Sequence, residues 1–198
     1  MSHGPLLLAS RSPRRRELLD RIGIAYRVCP ADVDESALAG ESPEGYVLRL
    51  ARHKAAVVYE REPQSAAALA ADTTVTLDGR LYGKPADRAD ALAMLQELAG
   101  RTHRVLTAVA LAHAGGLDSE LSVSEVTFAP LDAAAIGRYW DSGEPLDKAG
   151  GYAIQGLAAV FIRELRGSYT GVMGLPLYET ATLLARAGLG HPLAGAAP

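Results

Sequence analysis

The chain has 198 residues, 48% hydrophobic and 22% charged, enough for one well-buried domain, too short for two average ones, and far from the profile of a disordered chain. Its 20 Lys and Arg against 23 Asp and Glu give a net charge of −3, which excludes coating of nucleic acid through bulk charge. The longest uncharged run, Ala149 to Ile162, holds only fourteen residues and cannot span a membrane; the amino terminus has no basic region of the secretory kind, so a cytoplasmic location is expected.

Pro5 to Ser10 reads as a short buried strand that turns into a helix. Ser12-Pro13 supplies an N-cap and a proline at the first helical position, Leu18, Leu19 and Ile22 the apolar stripe, and Gly23 the end. Ser42-Pro43 repeats the start signal for a second helix, with Val47, Leu50, Ala51 and Val58 at helical spacing up to Glu60-Arg61-Glu62-Pro63. Ser65 to Leu77 reads as a strand pair or a bent strand bounded by Asp78-Gly79. Pro85 opens a third helix that runs to about Leu98. Val105 to Ala112 and Ser119 to Phe128 form a hairpin across Gly115-Gly116, with a bulge expected near Ser124-Glu125, where the apolar parity switches. Asp132 to Trp140 fits a helix, Ala158 to Ile162 a strand and Pro176 to Ala187 a closing helix. Strands alternate with helices around one long hairpin, which predicts an α/β fold with a mixed sheet. The expected organisation is one domain over 1–190 and a flexible tail over 191–198.

Single residues break these patterns. Cys29 stands alone and the five histidines lack metal-ligand spacing, so neither a disulfide nor a structural zinc is expected. Residues 1–30 carry a net charge of +4, and Ser10-Arg11-Ser12-Pro13-Arg14-Arg15-Arg16 sets four guanidiniums at a helix start. Arginines oppose the helix dipole there, so the run is either a phosphate site or a solvated basic turn paired with Glu17 and Asp20. Arg15 shares the face of Leu18 and Leu19 and should point inward. Lys54 lies on the core stripe of the second helix, where it either snorkels past the edge or reaches an anion in a cleft. Asp72 closes a run of small apolar residues; it either meets a cation, a metal ion or donors, or forms an Asx turn. Lys84, between Gly83 and Pro85, suits phosphate oxygens or simple solvation, and the amide of Gln155 could read a base edge or satisfy backbone. No GxxxxGK[ST] loop occurs, which argues against an ATP-driven motor or switch.

Leu8-Ala9-Ser10-Arg11-Ser12-Pro13-Arg14-Arg15, Ala71-Asp72-Thr73, Gly83-Lys84-Pro85, Asp147-Lys148-Ala149-Gly150 through Gln155-Gly156, and Gly174-Leu175-Pro176-Leu177 stand in an order that closely resembles the Maf family of house-cleaning nucleotide pyrophosphatases. The likeness spans about residues 5 to 188. It implies a two-lobed α/β fold with an elongated central mixed sheet, an active-site cleft between the lobes, and hydrolysis of a nucleoside triphosphate to the monophosphate and pyrophosphate with a divalent cation, Mg2+ or Mn2+. By position it implies that Asp72 is the proton acceptor and that Ser10, Arg15, Glu35, Lys54 and Lys84 form the phosphate and metal pocket, Asp72 and Glu35 holding the metal. Arg14, Thr73 and Gln155 resemble the branch acting on dTTP and UTP, modified pyrimidine nucleotides being a further substrate class; the sister branch acting on 7-methyl-GTP shows an aromatic, a glutamine and a glutamate there. Ala71 departs from the glycine common before the aspartate, a difference that matters only if that backbone needs a positive φ. The expected partner is a nucleotide, with no membrane or stable nucleic-acid partner and with monomer or homodimer open. The competing expectation is a nucleotide-binding regulator of cell division that does not turn over.

Overall fold

A computed structural model describes residues 4–190; the expected tail over 191–198 lies outside the described residues. β1 (Leu6–Leu8) is buried along its whole length, and α1 (Pro13–Arg21) starts after Ser12 with proline in its first turn, as the residues predict. β2 (Tyr26–Val28) pairs parallel with β1 and had no clear signal, being three residues long with Arg27 and Val28 exposed at the sheet edge. In α2 (Pro43–Arg61) the Ser42 hydroxyl accepts from Gly45 N–H, and Val47, Leu50, Ala51, Lys54, Ala55 and Val58 form one buried stripe.

β3 (Ala67–Leu77) is a single strand of eleven residues, joined to antiparallel β4 (Arg80–Tyr82) by Asp78-Gly79, whose φ angles of 52° and 80° make the hairpin turn. α3 (Arg88–Leu98) begins three residues after the expected Pro85, because Asp87 caps it by accepting from Asp90 N–H. β5 (Thr102–His113) and β6 (Gly116–Phe128) pair in unbroken register, so there is no bulge at Ser124-Glu125; the irregularity falls between Thr127 and Phe128, against β7 (Ile162–Arg166). The parity switch has another cause. Ser122 and Ser124 face inward with Val126 and Phe128, while Val123 is 41% exposed. A side chain at Gly167 would bring its Cβ within 2.7 Å of the Ser124 hydroxyl, so close approach of the chain demands small residues on that face.

α4 (Ala133–Asp141) is capped by Asp132 as expected. The strand expected over Ala158–Ile162 is instead a 3-10 turn, Leu157–Phe161, and pairing begins only at Ile162. α5 (Tyr169–Met173) and α6 (Leu177–Arg186) close the chain.

The sheet runs β2-β1-β3-β5-β6-β7, with β4 on the end of β3, parallel on the β2-β1-β3 side and antiparallel beyond. Its long strands pass through more than one apolar core. Leu69 and Ala71 of β3 pack with Leu8, Leu18, Leu19, Leu175 and Leu183, whereas Val75 and Leu77 of the same strand pack with Leu95, Phe128 and Ile136. Ala68 and Ala70 turn to the opposite face, under Val47, Ala51 and Ala55 of α2. The expected mixed sheet flanked by helices is present, and its two lobes are these two packed ends of shared strands. Between them β3 reads Asp72-Thr73-Thr74, and polarity replaces the apolar alternation.

Candidate active site

A break in strand pairing makes the site. On the edge of β3 away from β5, β1 pairs with Ala67–Leu69 and β4 with Val75–Leu77, leaving residues 70–74 without a strand partner. A cavity of about 680 Å3 opens there, within the range of small-molecule sites. The loop following β1 and the first turn of α1 bring Ser10 to Arg15 to it and the loop following β4 brings Gly83 and Lys84, so each neighbour delivers cations where it leaves the sheet. All nine residues singled out from the sequence, Ser10, Arg14, Arg15, Glu35, Lys54, Asp72, Thr73, Lys84 and Gln155, line this one cavity. Arg11, Asp147 and Lys148 line it as well; all three stand in the motifs that carry the family resemblance, but none was expected as a site residue. The lining thus holds six cationic and three acidic side chains, a local excess of +3 in a chain of net −3, as an anionic ligand requires.

Alternation along β3 sends Asp72 and Thr73 to opposite faces. Asp72 lies on the α2 side, where the Lys54 ammonium donates to its Oδ1 at 2.6 Å and pairs with Glu35 Oε1 at 2.7 Å. Lys54 is 8% exposed and Asp72 7%, so the lysine does not snorkel and the aspartate is no surface Asx turn. Burial pushes the Asp72 carboxyl above the usual carboxylate range, against the downward pull of Lys54 and Arg15.

Thr73 faces α1. Arg15 donates through Nε to Gly174 O at 2.7 Å, through Nη1 to Ser10 Oγ at 3.1 Å, and through Nη2 to Thr73 Oγ1 at 3.4 Å. Thr107 Oγ1 lies 2.7 Å from Gly171 O and 3.0 Å from Thr73 Oγ1. The Thr107 hydroxyl is the donor in both contacts, sharing its one proton between Gly171 O and the Thr73 oxygen, which also accepts from Arg15. The chain Arg15, Thr73, Thr107, Gly171 O therefore holds the guanidinium in place. Burial lowers the affinity of Arg15 for its proton, with Asp72 opposing; the same holds for Arg14, opposed by Asp147. Burial also pushes Lys148 down, helped by Arg14. Cations desolvated beside one another gain most from an anion between them. The Ser12 side chain makes no cap bond and the first turn of α1 has no acidic residue, so its N–H groups are not neutralised by the protein.

Lys84 and Gln155 are exposed on the cavity wall, free to meet a ligand. The backbone before Asp72 does not have positive φ: among the described residues Asp78 and Asp147 are the non-glycine residues that do, so Ala71 is accommodated without strain. The residues fit a divalent cation of one kind. Two carboxylates, Asp72 and Glu35, meet at the Lys54 ammonium, and among the described residues no group of three or more His, Cys, Asp or Glu could cage a metal. That donor set suits Mg2+ or Mn2+ shared with substrate phosphates, not a self-contained metal centre.

The model of the Maf-like protein family matches residues 5–187 of this chain. A dTTP/UTP pyrophosphatase of Methylococcus capsulatus is 53% identical over 195 residues, covering 98% of this chain and 96% of its own. A dTTP/UTP pyrophosphatase of Bordetella avium is 54% identical over 201 residues, covering 97% and 100%. A solved structure of a nucleoside-triphosphatase / dITP/XTP pyrophosphatase from Mycobacterium abscessus aligns with 64% of this chain and 73% of its own, at a TM-score of 0.40 and 20% identity.

Proposed function

The chain belongs to the Maf-like family, and from that premise we propose that it hydrolyses dTTP and UTP to the monophosphate and pyrophosphate, within a single domain over residues 1–190. The relatives that match almost end to end carry that activity in their names. The observation that carries the reading is one buried carboxylate, Asp72, facing six cationic side chains across one cavity.

Asp72 acts as the proton acceptor for the attacking water. Lys54 occupies Oδ1, and among the described residues Oδ2 has no hydrogen-bond partner, which leaves it for water. A carboxyl whose proton affinity is raised by burial is a better base at neutral pH than an exposed one. Arg15, held by Ser10, Thr73 and Gly174, is pre-oriented toward phosphate and cannot swing away as charge builds on the departing pyrophosphate. Lys54, from α2, and Lys84, from the loop after β4, add point charge. When bound by Asp72 and Glu35 together with the phosphates, Mg2+ or Mn2+ supplies charge neutralisation at the phosphoryl oxygens. Arg14 and Gln155 line the same cavity and meet the nucleoside end, Thr73 serving mainly to buttress Arg15.

The reading carries a cytoplasmic location; among the described residues no helix is long and apolar enough to cross a membrane. Pyrophosphate release from dTTP, UTP and 7-methyl-GTP, with and without Mg2+ or Mn2+, tests it. Metal-dependent turnover of dTTP and UTP at least about tenfold above 7-methyl-GTP is expected. Preference for 7-methyl-GTP overturns the branch assignment, and binding without pyrophosphate release overturns the enzyme in favour of a nucleotide-binding regulator.

A further inference from the structure

Gln155 sits on an irregular stretch between two 3-10 turns, Ala149–Gly151 and Leu157–Phe161, with no strand or helix to hold it. Its support comes from behind. The Glu144 carboxylate accepts from Leu157 N–H through Oε2 at 2.7 Å, and from Ala158 N–H at 3.1 Å and the Tyr139 hydroxyl at 2.7 Å through Oε1. The Tyr139 oxygen in turn accepts from Ala153 N–H at 3.2 Å. One carboxylate and one phenol therefore pin the backbone on both sides of Gln155. The fit is close: a Cβ at Gly156 would lie 2.1 Å from Glu144 Oε2. Tyr139 is 7% exposed, and burial raises its proton affinity, so it stays a neutral donor to Glu144. Neither side chain lines the cavity, so neither touches substrate.

We propose that Glu144 and Tyr139 are positioning residues for base selection, a hydrogen-bonded clamp that sets where the Gln155 amide stands against the pyrimidine. The proposal rests on the dTTP/UTP reading given above. Reading a base edge with an amide requires donor and acceptor held to within a fraction of an ångström, and a loop side chain reaches that only when its backbone is fixed. Arg15, Lys54 and Lys84, the cations assigned to the phosphates, lie on other segments, so the clamp governs recognition of the base and not the chemical step.

The test compares kcat and KM for UTP and GTP in the wild type, E144Q, Y139F, Q155A and the doubles E144Q/Q155A and Y139F/Q155A. In E144Q an amide NH2 replaces one of two acceptor oxygens and faces an N–H or O–H donor; in Y139F the ring keeps its edge-on packing on Phe161 at 5.2 Å and only the hydroxyl is lost. Each single variant should raise KM for UTP about tenfold with kcat within about twofold, and lower the UTP-over-GTP ratio of kcat/KM about tenfold. Adding Q155A to either should change that ratio less than about twofold, because the amide is already misplaced. Unchanged selectivity in Y139F and E144Q, an equal fall of kcat on both nucleotides, or a full additional penalty from Q155A overturns the clamp. Should E144Q not fold, Y139F decides. A wild type that discriminates while the variants are unaltered refutes the clamp alone; a wild type that does not turn over UTP refutes the reading beneath it.

Discussion

Replacing Lys54 by methionine isolates the electrostatics of the site from its packing. Methionine keeps most of the aliphatic stem along α2 and removes the charge. Lys54 and Asp72 are 8% and 7% exposed and 2.6 Å apart, so the aspartate is left in a low-dielectric setting with its nearest cation gone. Breaking a buried pair from one side costs about 3–5 kcal/mol. The Glu35 contact adds little, since that side chain is 58% exposed. For a chain of this length the loss corresponds to a fall in Tm of about 10 °C. The double variant Lys54→Met/Asp72→Asn removes the orphaned charge and should recover to within about 1 kcal/mol of the wild type. Urea unfolding at pH 7 of the three proteins reads this directly. A Lys54→Met variant as stable as the wild type, or a double variant no more stable than the single, would refute the reasoning.

Three further outcomes follow from particular residues. Lys84→Ala should lower kcat at least about tenfold with Tm unchanged within about 1 °C, because Lys84 is exposed; a change confined to KM would place its contact in the ground state. His103 is 1% exposed and burial holds its proton affinity down, from 6.5 to about 4. The fold therefore binds fewer protons there than the unfolded chain, so its contribution is complete above pH 6.5 and is lost as pH falls toward 4, about 3 kcal/mol in all. Denaturant unfolding at pH 7, 5 and 4 should show that loss, and His103→Gln should flatten it; an acid limb identical in the variant would contradict the assignment. Gly150 has φ of 68°, and its Cβ would lie 2.8 Å from Val75 Cγ2, so Gly150→Ala should destabilise by roughly 2 kcal/mol, checked by the same unfolding.

The parts of the site legible in the sequence are those where charge interrupts a period. Lys54 stands out on an apolar stripe, Asp72 in a run of alanines, and Arg15 on the inner face of α1, and the structure buries or half-buries each. Glu35 had no local signal and entered only through the family resemblance; its exposed carboxylate lies in a loop without a period to break. The gap at residues 70–74 of β3 depends on where β1 and β4 stop pairing, a long-range register that no window along the chain contains. Glu144 was equally silent, since an acidic residue in a loop looks solvated until its three donors are in view. In the fold, β2 and α5 were missed because segments of three and five residues carry less than two turns or alternations of pattern. The inward serines of β6 concealed its buried face because size, not polarity, was the constraint there.

In the proposed mechanism one buried carboxylate takes the proton while the cations only bind and stabilise. Its most direct test is Asp72→Asn, measured for UTP turnover with Mg2+ and, separately, for UTP binding by calorimetry. Turnover should fall about a thousandfold or more while nucleotide affinity stays within about tenfold. Turnover near that of the wild type would contradict it.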